Sequence, residues 1–400
     1  MRVFKLMAIA LVAMIGLNSC SKDCEHEFIE YDYSKVLVGT WTSFDAEYKE
    51  AMVIEEDGSF TVIGIMGGNL HEQKGTIKAN NNKVTLTLDN GEKMEGRLEL
   101  VAGESFSIVL NEELDFRLNY HYCKEDLTDK IIGMWVATEG PYMSIETFNE
   151  DGTALYTGFV PESEEMVLNY QTNYKVIGDL QFHSIAVDGQ TKYIAHRLIY
   201  SPNSTTRLGD VMTWQVDENI SFSRLRVKQE LDLNGKTYDY SSAYVSNVKG
   251  ADEDFTILDH TFNISKIDSN NFDMFLRSVL SCIELNDNTI EFRFINDGRE
   301  SVFNDPITVE GNKVTVDMSA ENPALRKVVM YMFQDADDSQ LHIYMPTKSF
   351  INYFANLQIP TLKAEGKLDT NDAAAVEKVF ADMAARVESI NVSFVFKARK

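Results

Sequence analysis

The sequence predicts a mainly β protein: two tandem small antiparallel barrels or meanders, followed by a larger β-rich α+β domain. Three observations carry this expectation. A Gly-x-Trp segment followed by an Asp-Gly turn occurs twice at one constant interval. Short alternating runs of polar and apolar residues are separated by Asp-Gly, Asn-Asp and Asn-Gly turn signals. Helical periodicity enters only after about residue 232.

The chain begins with Arg2 and Lys5, followed by the uncharged run Leu6 to Leu17. That run is shorter than the about 20 residues a membrane-spanning helix needs, and it fits the apolar core of an export signal. It ends at Leu17-Asn18-Ser19-Cys20, which resembles a lipobox. The resemblance implies that residues 1–19 are a cleaved signal peptide and that Cys20 carries lipid. One acyl chain anchors only marginally, at ~0.8 kcal/mol per buried methylene, whereas the three chains implied would hold firmly. Residues 20–34 form an acidic tether. Within it, Ser21-Lys22-Asp23-Cys24-Glu25-His26-Glu27 resembles the surface-export tag of Bacteroidota lipoproteins, although Cys24 interrupts the acidic run. The expected location is the cell envelope, with the protein anchored to the outer membrane.

The first two domains, residues 35–126 and 127–231, read as copies of one unit. Gly39 and Gly133, Trp41 and Trp135, and Gly58 and Gly152 are each 94 residues apart. In the first unit Lys83 to Leu88 alternates polar and apolar residues before the turn at Asp89-Asn90-Gly91. In the second, Glu150-Asp151-Gly152 forms a tip between Met143–Phe148 and Ala154-Leu155-Tyr156. Serial hairpins of this kind favour a closed barrel or a sandwich, and closure removes exposed strand edges. A fainter echo occurs at Asp297-Gly298 and at Gly311-Asn312-Lys313-Val314-Thr315-Val316, beside Asn82-Lys83-Val84-Thr85-Leu86. Gly-x-Trp followed by meandering hairpins resembles the lipocalin-like, or calycin-type, domains of Bacteroidota lipoproteins of unknown function. That resemblance implies that Trp41 and Trp135 plug one end of a barrel as core residues.

In the third domain, residues 232–400, Phe272, Phe275, Leu276 and Val279 share one helical stripe, as do Phe350, Tyr353, Phe354 and Leu357. Thr370 to Val387 is the clearest helix, followed by the alternating strand Ile390 to Phe396. Ala324 to Phe333 fits either a helix or a strand.

With 62 acidic against 37 basic side chains, the composition argues against nucleic acid as a partner. No nucleophile elbow, phosphate-binding loop or zinc helix is present, so no catalytic residue, metal or cofactor is expected. Gly64, Gly67 and Gly68 read as hairpin-turn glycines. Asp335-Ala336-Asp337-Asp338 opens like a calcium loop but lacks its glycine and closing glutamate, and reads as a solvated turn.

Cys24-Glu25-His26 and His121-Tyr122-Cys123 mirror each other around the first unit. Paired antiparallel, they would set Cys24 opposite Cys123 and His26 opposite His121. A disulfide, worth about 2–4 kcal/mol, a tetrahedral zinc site and cysteines that never meet are the three readings. Cys282 reads as a buried thiol. Trp214, Tyr238, Tyr240 and Tyr244 are the candidate ligand-lining aromatics, with ordinary core packing as the alternative.

These features suggest a non-catalytic, membrane-anchored lipoprotein that binds a small molecule, a glycan or a protein. The alternative is a structural or interaction accessory with no small-molecule ligand, and a hydrolase comes third. The domain farthest from the lipid is expected to carry the function, and a deep cleft there would favour binding over scaffold.

Overall fold

The computed structural model describes residues 33–399 except 46–47, 112–115, 138–143, 160–163, 204–208, 258–259, 297–298 and 321. Its strands close into three successive eight-stranded antiparallel barrels. The first runs from β1 (Gly39–Phe44) to β8 (Phe116–Tyr122), and the second from β9 (Gly133–Ala137) to β16 (Ser221–Val227). The third uses β17 (Lys236–Gly250) and β20 (Leu280–Asn286) to β26 (Val387–Ala398), while β18 (Asp254–Ile257) and β19 (His260–Asn263) pair in a separate two-stranded sheet. The third unit is therefore a barrel with helices inserted in two connections, rather than a separate α+β arrangement.

The twin Gly-x-Trp segments have one structural cause. Gly39 and Gly133 sit at φ +132° and +127°, and a β-carbon there would meet the Tyr122 ring at 2.8 Å and Arg226 Nε at 3.3 Å. Two residues on, each tryptophan turns into its barrel and is fully buried. Trp41 Nε1 donates to Leu37 O at 2.7 Å and Trp135 Nε1 to Ile131 O at 2.6 Å. Leu37 follows the short helical turn Tyr33–Val36, Ile131 ends α1 (Thr128–Ile131), and Leu37, Leu127 and Ile131 pack in the same cores as the tryptophans.

Backbone hydrogen bonds show that the third barrel repeats the same plan. Ile77 N donates to Gly58 O, Tyr174 N to Gly152 O and Ile307 N to Asn288 O, each at 2.8 Å. Leu98 N to Asn82 O, Leu198 N to Asp179 O and Met332 N to Asn312 O form a second set, at 2.7, 2.7 and 2.9 Å. The echo at Gly311 to Val316 thus marks the same hairpin as Asn82 to Leu86. Asp297-Gly298 lies outside the described residues, and its flanking strands are the third and fourth of the barrel. The Asp-Gly turns of the first two barrels instead join the second and third strands.

The inserted helices cover the third barrel. α2 (Ser269–Val279) starts at Asp268, which forms a reciprocal capping box with Asn271. It buries Phe272, Leu276 and Val279, while α3 (Thr347–Ala364) buries Phe350, Phe354 and Leu357. α4 (Ala373–Arg386) is capped by Asp372 and leads into β26, and Ala324–Phe333 resolves in favour of the strand β24 (Val328–Gln334). Phe272, Leu276, Phe292, Phe354 and Phe394 surround an apolar void of about 20 Å³, room for roughly one water. This interior is a filled core, not a deep cleft.

The barrels pack wall to wall. Leu180, Phe182 and Ala195 of the second meet Ala51 and Ile63 of the first. The turn carrying Gly67 and Gly68, both at positive φ, docks through Tyr193 N to Gly68 O at 2.8 Å. Ile145 and Leu225 meet Tyr331 and Phe333 of the third barrel, and Tyr344 Oη donates to Ala137 O at 2.6 Å.

Asp335 to Asp338 forms a turn with Ala336 and Asp337 exposed, as expected, but Asp335 departs from the solvated reading. Asp335 is fully buried, and its Oδ1 accepts from Gln340 N at 2.9 Å. Asp338 pairs with Lys228 and Lys236, and Asn203 donates to Asp337. The turn is a knot between the second and third barrels, which the sequence alone could not reveal because its partners are remote.

Candidate binding site inside the second barrel

Strand register allows the three interiors to be compared position by position. Trp41, Trp135 and Tyr238 are equivalent, and opposite them on the next strand stand Met52, Glu146 and Ile283. Directly paired residues share a face, so Glu146 points into its barrel. Following the ladders outward, the positions of Tyr156, Gln181, His183, His196 and Arg224 hold Val62, Val84, Leu86, Gly96 and Tyr120 in the first barrel. In the third they hold Phe292, Val314, Val316, Met330 and Phe396. At these six positions the second barrel alone carries a full set of polar side chains; the first holds Tyr120 among them, which donates to Glu50, with His71 on the same inner face.

Those side chains form a connected, buried set. Glu146 and Arg224 are ion-paired, with side chains only 6% and 12% exposed. The Arg224 guanidinium also lies 4.9 Å over the Phe222 ring. The His183 and His196 rings are 5.0 Å apart, His196 stands edge-on to Phe222, and Tyr156 stacks on Tyr170 at 4.3 Å. Thr172 Oγ1 donates to Ser184 O at 2.6 Å. Trp214 forms the inner boundary: it stacks on Phe148 and Phe222 and donates from Nε1 to Gln181 Oε1 at 2.6 Å. Below it Trp135, Met212 and Leu198 make the apolar half of the core.

Burial sets the charge states. Desolvation pushes the Glu146 carboxyl up, against the opposing pull of Arg224. Desolvation pushes His183 down to about 4, and together with His183 and Lys49 it pushes His196 down to about 3, so both rings are neutral at pH 7. Tyr156 and Tyr170 are pushed up, chiefly by burial. Three polar atoms in this set, Gln181 Nε2, His183 Nδ1 and Arg224 Nε, are buried without a hydrogen-bond partner. Each such orphan costs about 1–3 kcal/mol, more where charged. The arrangement can supply a fixed guanidinium, neutral imidazoles and aromatic walls to a small polar molecule.

Of the four aromatics selected from the sequence, Trp214 belongs to this site. Tyr238 is fully buried at the position of the barrel tryptophans, and its hydroxyl accepts from Gln334 Nε2 at 2.9 Å. Tyr240 donates to Asp273 Oδ1 at 2.7 Å, and Tyr244 is 43% exposed beyond a bulge in β17. The structure does not bring these three to Trp214. Glu146 was visible in the sequence as the residue that breaks the apolar phase shared with Phe148, at the 94-residue counterpart of Met52.

Cys20, Cys24 and His26 lie outside the described residues. His121 is paired on both sides, with Thr42 of β1 and with Ser105 of β7 (Ser105–Asn111). Cys123 Sγ donates to Glu125 O at 3.0 Å, and burial, with Asp179 nearby, pushes its thiol up to about 11. Cys282 is buried. Among the described residues no group of three or more His, Cys, Asp or Glu is placed to hold a metal, and no helix is long and apolar enough to cross a membrane. No protein-family model and no curated protein matches the chain.

Proposed function

We propose that this chain is a lipid-anchored, lipocalin-like cell-envelope protein that binds a small polar molecule inside its second barrel, without catalysis. The observation supporting this reading is the exchange of six interior positions, apolar in the third barrel and, apart from Tyr120, in the first, for Glu146, Tyr156, Gln181, His183, His196 and Arg224. A buried ion pair with orphaned donors is a poor stabiliser compared with apolar packing. The third barrel closes without such a set and the first with a smaller one, Glu50, His71 and Tyr120, so folding does not demand it. Ligand contact to Arg224 Nε and His183 Nδ1 would satisfy two of the atoms that folding leaves unpaired. The filled core of the third barrel favours a scaffold role for that unit, so function is assigned to the middle domain. A Trp41→Phe/Trp135→Phe variant leaves Trp214 as the sole indole reporter. Titration with small-molecule fractions of the native envelope is expected to change its emission saturably. Fractions that bind the protein but leave Trp214 unaffected would refute this location, and absence of any binding fraction would refute the function.

A further inference from the structure

A second feature lies outside the barrel interiors. Between the outer wall of the first barrel and the second barrel runs a cleft of about 580 Å³, within the roughly 300–1,000 Å³ usual for small-molecule sites, which favour domain junctions. Ser105 and Ser107 of β7 and Asn119 and His121 of β8 present side chains along one wall, and Ser107 Oγ already bonds Asn119 Oδ1 at 2.7 Å. Arg197 and Gln215 of the second barrel form the other wall, with the exposed carboxylates of Asp45 and Glu218 adding negative charge.

The chemistry of these walls selects a ligand class. Arg197 is already paired with Asp179 at 2.8 Å and lies 5.9 Å over Phe44, leaving no excess of positive charge to hold an anion. An apolar ligand would cover the serine hydroxyls and the two amides without replacing their water bonds, at about 1–3 kcal/mol for each group in proteins. A neutral polyhydroxylated molecule meets both conditions. Its hydroxyls donate to Asp45, Glu218 and the amide oxygens, and they accept from the serines and the amide NH₂ groups of Asn119 and Gln215. The exposed His121 supplies ring surface for the C–H face of such a molecule. We infer that the cleft between the first two barrels is a binding site for a neutral oligosaccharide, separate from the site inside the second barrel.

The test uses the full chain in detergent and a panel of neutral hexasaccharides: maltohexaose, cellohexaose, xylohexaose, mannohexaose and N-acetylchitohexaose. At least one is expected to bind by calorimetry and to shift the side-chain amide signals of Asn119 and Gln215. Asn119→Trp, at an exposed position, should fill the cleft and weaken binding at least tenfold with an unchanged melting temperature. Gln215→Ala should weaken it severalfold. The Glu146→Met/Arg224→Tyr variant, altered only inside the second barrel, should bind the saccharide as the parent does. That arm separates this inference from the proposed barrel ligand. Failure of the whole panel, tighter binding of dextran sulfate or laurate, or saccharide binding unaffected by Asn119→Trp would each overturn it.

Discussion

Replacing Glu146 by Met, the residue at the same place in the first barrel, tests whether the polar interior is structural or functional. The change leaves the Arg224 guanidinium, 12% exposed in its side chain, buried beside Phe222 with no counter-charge. Breaking a buried pair in this way costs about 3–5 kcal/mol. Adding Arg224→Tyr, again the residue of the first barrel, removes the stranded charge. Replacement of a buried pair by apolar side chains is neutral or stabilising by about 1–4 kcal/mol, so the double variant should recover most or all of the loss. Urea unfolding at pH 7, followed by Trp135 and Trp214 emission in a Trp41→Phe background, gives the cycle with the signal confined to the second barrel. The expected pattern is one destabilised single variant, a restored double variant and a ligand site lost in both. A double variant destabilised by the sum of the two single changes would refute the reasoning, because the pair would then be no unit. A Glu146→Met protein as stable as the parent would refute it equally.

Three further outcomes are expected. His183 and His196 have folded pKa values of about 4 and about 3, below the unfolded value of about 6.5. The unfolded chain therefore binds more protons between those limits, and stability is lost as pH falls from about 6.5 toward 4, by on the order of 3 kcal/mol for His183 alone. Glu146, shifted upward, works in the opposite sense above its unfolded value. His183→Leu should flatten the acid limb of a pH–stability curve, and an unchanged limb would contradict the assignment. Trp135→Phe removes the indole donor to Ile131 O and should cost about 1–3 kcal/mol from the orphaned carbonyl and lost packing, measured by thermal unfolding. A loss below about 0.5 kcal/mol would contradict that role in the core. Cys20→Ala should move the protein from the membrane fraction to the soluble fraction on immunoblots, and persistence in the membrane fraction would contradict lipid anchoring at that residue.

The barrel fold was legible where one residue type had one cause. Gly39 and Gly133 mark positive φ beside a crowding side chain, the tryptophans mark buried cores tied to the preceding turn, and Asp-Gly marks tight hairpins, so the first two units can be read from their repeat. The third copy was obscured because Tyr238 replaces the tryptophan and takes its hydrogen bond from Gln334 rather than giving one to its own turn. Asn288 also replaces the turn glycine, and α2, α3 and α4 divide the meander. Helices inserted between paired strands leave the hydrogen-bond ladder intact while separating its members in sequence. The candidate site was only partly visible. Trp214 stands out by residue type and Glu146 by breaking an apolar phase, but Gln181, His183, His196 and Arg224 are unremarkable polar residues until strand register shows that all four face inward. The Asp335 knot shows the same limit, since burial by a remote chain segment leaves no local signal.

Native mass spectrometry of the full chain purified from its own envelope tests the central claim most directly. The parent should carry a small-molecule mass that Glu146→Met/Arg224→Tyr lacks, while both retain the same fold by circular dichroism. A parent at its bare mass, or the same added mass on both proteins, would contradict a ligand site inside the second barrel.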